Sequence, residues 1–123
     1  MDQLRALRSV LCRARAMISD EAGFHTDGYA ADTEGRWRPV GSADAVRFSA
    51  WGAVMRASGG SKVILAAARA LFGHATPELA RKLDAGTLSH EEALFLLDSA
   101  IGAAASDSKL VAGVGGGARD LPS

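Results

Sequence analysis

His25, Asp27, Asp32 and Glu34 have the side-chain types that bind divalent cations, because imidazole and carboxylate groups are common metal ligands. The other two histidines lie far along the chain, each at the start of a predicted helix. Carboxylates that cap turns explain the same residues. We therefore predict no metal ion and no cofactor. A small metal-dependent or hydrolytic enzyme that uses His25, Asp27 and Asp32 stays open as the alternative function.

Ser49 and His25, together with an aspartate, have the types of a nucleophilic triad. A serine nucleophile needs a sharp, strained turn that exposes its hydroxyl, and Ser49 falls inside a predicted helix instead. We predict no catalytic residue and interpret Ser49 as a small polar residue in a tight helix contact.

Cys12 is the lone cysteine, so no internal disulfide can form. Neighbouring Arg8, Arg13 and Arg15 have the charge to stabilise a reactive thiolate. Because Cys12 lies beside the apolar stripe of the first predicted helix, we expect it to pack as a small hydrophobic residue.

Tyr29, Arg36, Trp37 and Arg38 combine aromatic rings and positive charge in one segment. Tyrosine, tryptophan and arginine are enriched at the centres of protein interfaces. We therefore predict that these residues bind a protein partner of unknown identity, and that the chain acts by docking rather than by catalysis. Weak nucleic-acid binding is a second alternative, because single-strand binders also mix basic and aromatic residues. A purely structural interpretation places Arg36 or Arg38 over an aromatic ring.

Composition restricts the classes of partner and the cellular location that the chain can have. The 123 residues suffice for one domain, and 14 basic and 14 acidic residues give a formal net charge of zero. No long-range field attracts nucleic acid or an anionic membrane, which disfavours both partners. No apolar run approaches the roughly 20 residues of a membrane span, and the arginine-rich N-terminus does not resemble a secretory signal. We expect a cytoplasmic protein.

Apolar spacing predicts an all-α (mainly α) protein, a compact bundle of about five helices with a short β-hairpin or ordered loop between the first two. The predicted helices span residues 3–22, 44–58, 62–72, 76–83 and 89–105. Residues 1–105 form a predicted single domain, and the Gly/Ser-rich residues 106–123 a flexible C-terminal tail. Two nearly all-apolar helices in so small a domain also indicate a possible homodimer.

Local signals set the helix ends and faces. Ser61 and Thr76 are predicted N-caps, and Ser89 with Glu92 forms a predicted capping box. Gly52 interrupts the second helix, which we expect to be central and buried, and a glycine there indicates that another backbone passes close by. The buried stripes are predicted from spacings of three and four: Leu4, Leu7, Leu11, Ala14 and Ile18 in the first helix, and Leu94, Leu97 and Ile101 in the fifth.

The stretches 23–25, 29–36 and 45–53 together resemble DUF6197, a family of small bacterial and phage helical domains of unknown function. Members carry a first helix that ends in Gly-Trp-Cys, an acidic glycine turn, and a helix with Ala-Val-Arg-Trp-Cys-x-x-Gly-Ala. The resemblance covers about residues 4–101 and implies the helical fold. It implies no reaction.

This chain departs from the family pattern at three places. Phe24-His25 and Phe48-Ser49 stand where the family has Trp-Cys, and Trp37-Arg38 look like an insertion after the turn. Both family cysteines are therefore absent. Any chemistry that those thiols perform in relatives does not transfer to this chain.

Overall fold

The computed structural model describes residues 2–26 and 28–115, and its mainly helical architecture confirms the predicted fold class. The α-helices of this part are, in chain order, α1 (Asp2–Met17), α2 (Ala50–Ser58), α3 (Lys62–Ala75), α4 (Pro77–Ala85) and α5 (His90–Gly115). A single 3₁₀ turn, Glu21–Gly23, follows α1.

The predicted hairpin lies between α1 and α2. Strands β1 (Ala30–Ala31) and β2 (Arg47–Phe48) pair in antiparallel register, with Ala30 opposite Phe48. A second, tighter turn folds residues 36–38 back on β1 through a bridge between Ala31 and Trp37. We call residues 28–38 the Trp37 hairpin.

Helix α1 packs against α2 and α5. Its predicted stripe is confirmed, since Leu7, Leu11, Ala14 and Ile18 are buried and Leu4 is half-buried. Burying a leucine or isoleucine side chain stabilises a fold by about 1.5–3 kcal/mol, so this stripe anchors the bundle.

Helix α2 is central, as predicted, because each of its nine residues is buried or half-buried. Its predicted start near residue 44 is wrong. Phe48 is extended in β2, where its carbonyl oxygen accepts a hydrogen bond from the backbone N–H of His25 at 3.0 Å. Ser49 caps the helix through its side-chain oxygen, which accepts from Gly52 N at 3.0 Å. The interpretation of Ser49 as an interior helix residue is therefore corrected.

The remaining helix ends test the other predicted caps. Ser61 caps α3, and the box of Ser89 and Glu92 at the start of α5 is confirmed by reciprocal hydrogen bonds of 3.0 and 3.1 Å. Thr76 makes no such cap, because its hydroxyl donates back to Phe72 O at 3.2 Å.

Helix α5 continues past the predicted boundary at Ala105 to Gly115. The rest of the predicted tail, residues 116–123, lies outside the described residues. In the described part of the chain, no helix has both the length and the apolar character that crossing a membrane requires.

Candidate functional site

Asp32 organises the Trp37 hairpin. Its Oδ1 accepts hydrogen bonds from the backbone N–H groups of Glu34 and Arg36, both at 2.9 Å. Its Oδ2 lies 3.2 Å from Arg36 Nε and 3.2 Å from Arg38 Nη2. The hydrogen bond from the Arg36 backbone is the main cause that holds the pKa of Asp32 below its ordinary value. Asp32 is thus a turn-capping carboxylate, which was one of the two interpretations of this residue.

The turn itself needs a glycine. Gly35 has a φ of +81°, in the left-handed region that side chains rarely adopt, and its N–H donates to Asp32 O at 3.0 Å. The backbone of Asp32 also donates to Arg36 O at 2.9 Å, which closes the turn from the other side. The hairpin is therefore fixed by its own hydrogen bonds.

Positive charge on the hairpin is compensated locally. Arg36 Nη2 lies 2.6 Å from Glu34 Oε1, in addition to its bond with Asp32. Arg38 Nε lies 3.9 Å from Asp44 Oδ2. These two arginines thus face three carboxylates, Asp32 and Glu34 within the hairpin and Asp44 outside it, so the hairpin carries no excess of positive charge.

Trp37 projects from this hairpin into solvent. The side chain is 65% exposed, although the residue is bridged to Ala31 in the ladder. Its Cδ1 lies against Gly28, where an added Cβ would be 3.6 Å away. Tyr29, which follows Gly28 in the chain, is 51% exposed. The hairpin therefore leaves two aromatic side chains largely exposed to solvent.

Gly52 sets the position of Tyr29. A Cβ on Gly52 would come within 1.9 Å of the Tyr29 carbonyl oxygen, so the hairpin backbone passes directly over α2. The same oxygen accepts from Ser49 N at 3.1 Å. The predicted close approach at Gly52 is confirmed, and this contact connects the hairpin to the helical core.

The predicted stacking of Arg36 or Arg38 over a ring is replaced by other pairs. The cation–π contacts of the described residues are Arg56 over Phe48, at 5.7 Å from the ring centroid, and Arg69 over Trp51, at 5.6 Å. The hairpin arginines are held by carboxylates instead.

The proposed ligands of a metal or hydrolytic site are separated by the fold. His25 and Ser49 line one cleft, whereas Asp32 points into its own turn. Asp27 lies outside the described residues. Within residues 2–26 and 28–115, no three side chains from histidine, cysteine, aspartate and glutamate are grouped as a metal site.

The cleft has a volume of about 230 Å³ and lies between the segment before β1, the start of α2, and the α3–α4 hairpin. We call it the Trp51 cleft. Its apolar wall contains the rings of Phe24, Tyr29 and Trp51, and its polar wall contains His25, Arg69 and Asp84.

The polar wall of the Trp51 cleft was not predicted. Arg69 Nη2 forms an ion pair with Asp84 Oδ1, and the two side chains are 55% and 54% exposed. They come from α3 and α4, which the fold brings together, so no local spacing signals the pair. From the sequence, Trp51 is predicted only as an apolar residue of the second helix. Its ring makes an edge-on contact with Phe72, 6.2 Å between centroids, so part of the ring packs against the core.

Two further residues of the sequence analysis, Cys12 and His90, lie on helices α1 and α5. Cys12 is exposed, so the prediction that it packs as a hydrophobic residue is wrong. His90 Nε2 lies 2.6 Å from Ile18 O, and its ring centroid is 5.0 Å from that of Phe24. His90 therefore joins α5 to the end of α1.

Comparisons of the chain with models of known protein families, with curated proteins and with solved structures find no match.

Proposed function

We propose that this chain is a non-catalytic protein-binding module that docks through Tyr29, Arg36, Trp37 and Arg38, the docking surface. The observation that carries the proposal is the 65% exposure of Trp37 on a hairpin whose backbone is held by Asp32. Tryptophan is among the side chains that contribute most at interface centres. A ring that the fold leaves in water gains most from burial against a partner.

The hydrogen bonds of the hairpin support this role. Binding is penalised by the ordering of loops and side chains, so a surface that is already ordered binds more tightly. Asp32 accepts two backbone and two guanidinium contacts, all within the hairpin. The ring of Trp37 is therefore presented from a backbone that needs little reorganisation.

The two arginines have a supporting part in this proposal. Both guanidinium groups contact Asp32, so their first role is to fix the turn. The Arg36 side chain is still 65% exposed. Its remaining N–H groups can form hydrogen bonds at the polar rim of an interface, where individual bonds add little affinity.

Local charge favours a protein partner over nucleic acid. Nucleic-acid affinity depends mainly on cations that neutralise phosphates. At the docking surface, Arg36 and Arg38 are paired with Asp32, Glu34 and Asp44, so their positive charge is compensated. Phosphates would compete with these carboxylates for the two guanidinium groups.

The test is affinity capture from a lysate of the source cells, with wild type, Trp37→Ala and Phe95→Ala as baits, followed by binding measurements with the purified partner. Phe95 on α5 is 61% exposed and is thus a matched control for removal of an exposed ring. We expect Trp37→Ala to weaken partner binding by roughly thirtyfold or more. Phe95→Ala should bind as wild type does.

Equal loss with both variants, or with neither, would contradict the proposal. Sizing the purified protein at several concentrations identifies the case in which the partner is a second copy. A homodimer that uses the docking surface would dissociate in Trp37→Ala and persist in Phe95→Ala. Arg36→Ala is a poor test, because it also removes a contact that holds Asp32.

A further inference from the structure

The Trp51 cleft differs from the docking surface in its chemistry, although Tyr29 belongs to both. We infer that it binds a small, neutral, planar heteroaromatic molecule, of the purine-base type, between the Tyr29 ring and the Arg69–Asp84 pair. This inference does not rest on the proposed docking function.

The size of the cleft indicates a bicyclic ligand. A protein cavity of about 150 Å³ accommodates benzene, and the Trp51 cleft offers about 230 Å³. The half-exposed Tyr29 ring lines it and is accessible from solvent. A flat ligand can therefore enter beside Tyr29 and stack on it.

The charge of the cleft favours a neutral ligand. Arg69 and Asp84 form an ion pair, so their charges cancel in the wall. An anion would be attracted by Arg69 but repelled by Asp84, whereas a cation would be attracted by Asp84 but repelled by Arg69. At this ion pair, therefore, neither sign of charge has an advantage.

The Arg69–Asp84 pair can form complementary hydrogen bonds with the edge of a heteroaromatic ring. A guanidinium group only donates hydrogen bonds, and a carboxylate only accepts them. Side by side, Arg69 and Asp84 match a ligand that has an acceptor next to a donor, as purine bases do. Ser49 adds a hydroxyl whose oxygen accepts from Gly52 N and whose hydrogen can be donated.

The Trp51 ring of the apolar wall is contacted by both Arg69 and Phe72. Arg69 lies over the Trp51 ring at 5.6 Å, and Phe72 meets that ring at 6.2 Å. A ligand that bonds to Arg69 thus perturbs Trp51 directly. This makes the Trp51 indole N–H a reporter of occupancy.

The experiment uses Trp37→Phe protein, because the chain has two tryptophans and this variant leaves Trp51 as the sole indole. Adenine, indole, adenosine and adenosine monophosphate are titrated, and ¹H–¹⁵N NMR follows the Trp51 indole N–H. We expect adenine to shift this resonance saturably and to bind at least about tenfold tighter than indole, which lacks the matching edge. The monophosphate should bind no tighter than adenosine.

Two variants test the two walls. Tyr29→Ala should weaken adenine binding by about tenfold, the loss expected for one stacking ring. Asp84→Asn leaves Arg69 uncompensated, so it should make the monophosphate bind more tightly than adenosine. Phe95→Ala, which is outside the cleft lining, should match the parent protein, and the overall spectrum of each variant checks its fold.

Absence of any Trp51 shift at millimolar adenine would overturn the inference. So would indole binding as tightly as adenine, or tighter binding of the monophosphate to the parent protein. Partner capture by the Trp37 hairpin is scored separately, so either proposal can fail while the other stands.

Discussion

The helical bundle and the Trp37 hairpin are stabilised by different forces. The bundle buries large apolar side chains completely, including Leu11, Ile18 and Phe72. The hairpin buries only small ones, Ala30 and Ala31, and relies on hydrogen bonds to Asp32. Aromatic rings are the largest source of burial energy that a chain has. The bundle buries the rings of Phe48 and Phe72 but leaves Phe95 exposed, whereas both aromatic side chains of the hairpin, Tyr29 and Trp37, are exposed.

The two regions meet over a short stretch of backbone. Ser49 N donates to Tyr29 O, and Gly52 lies beneath the same carbonyl. Phe48 contributes to both regions, because its side chain is buried in the core of the bundle while its backbone pairs with Ala30 of the hairpin. Substitutions at this junction should affect both the bundle and the hairpin, and substitutions elsewhere should affect only the region in which they lie.

Gly52→Ala tests the junction and should have the largest effect. Its Cβ would stand 1.9 Å from the Tyr29 carbonyl oxygen, a backbone atom that can move only if the hairpin shifts. We expect a loss of roughly 3 kcal/mol in the free energy of unfolding, at the upper end for overpacking. Urea denaturation followed by circular dichroism measures it.

Gly73→Ala is the matched control. Gly73 lies in α3, is exposed, and an added Cβ there meets nothing within 4 Å. Alanine should stabilise the protein by up to about 1 kcal/mol through helix propensity. If both variants changed stability equally, Gly52 would not be a junction between two regions.

The sequence predicts the bundle better than the hairpin, and the reason is the range of the interactions. The stripe of α1 and the caps at Ser61 and Ser89 depend on residues within a few positions, and these predictions are confirmed. The start of α2 was placed too early, because Val46 N donates to Ala31 O at 2.9 Å. A local apolar pattern does not contain that pairing.

Distance along the chain explains the other errors too. The predicted stripe of α5 is only partly right: Leu97 is buried, but Leu94 and Ile101 are half-buried. Ala93 and Ala100 are buried instead, because α5 packs against several helices at once. For the candidate site, the exposed aromatic residues could be named from composition. The Arg69–Asp84 pair could not, because it joins two helices.

Asp32→Asn should act on the hairpin alone. Asparagine keeps an oxygen for the N–H groups of Glu34 and Arg36, but it loses the negative charge that holds the Arg36 and Arg38 guanidinium groups. We expect faster amide exchange at Glu34 and Arg36, with little change in α1 and α5. Hydrogen exchange followed by NMR distinguishes the two regions.

The pH dependence of this effect has a defined sign. The pKa of Asp32 is lowered in the folded protein, chiefly by the hydrogen bond from the Arg36 backbone, from an ordinary value of 3.8. Its charged form therefore stabilises the fold fully above that value, and the contribution disappears as pH falls through the lowered pKa. The stability advantage of wild type over Asp32→Asn should be constant near neutral pH and shrink below 3.8. A constant difference down to the acid limit would show that the charge of Asp32 does not stabilise the hairpin.

Trp37→Ala should have the smallest effect on stability and the largest on function. The ring is 65% exposed and its backbone bridge to Ala31 remains in the variant, so the free energy of unfolding should change by no more than about 0.5 kcal/mol. Denaturation of Trp37→Ala beside Phe95→Ala compares two rings of similar exposure, one on the hairpin and one on the bundle. A loss of 2 kcal/mol or more in Trp37→Ala would place the indole among the residues that hold the fold together. The hairpin would then be part of the core, and the contrast between the two regions, with the docking proposal built on it, would be wrong.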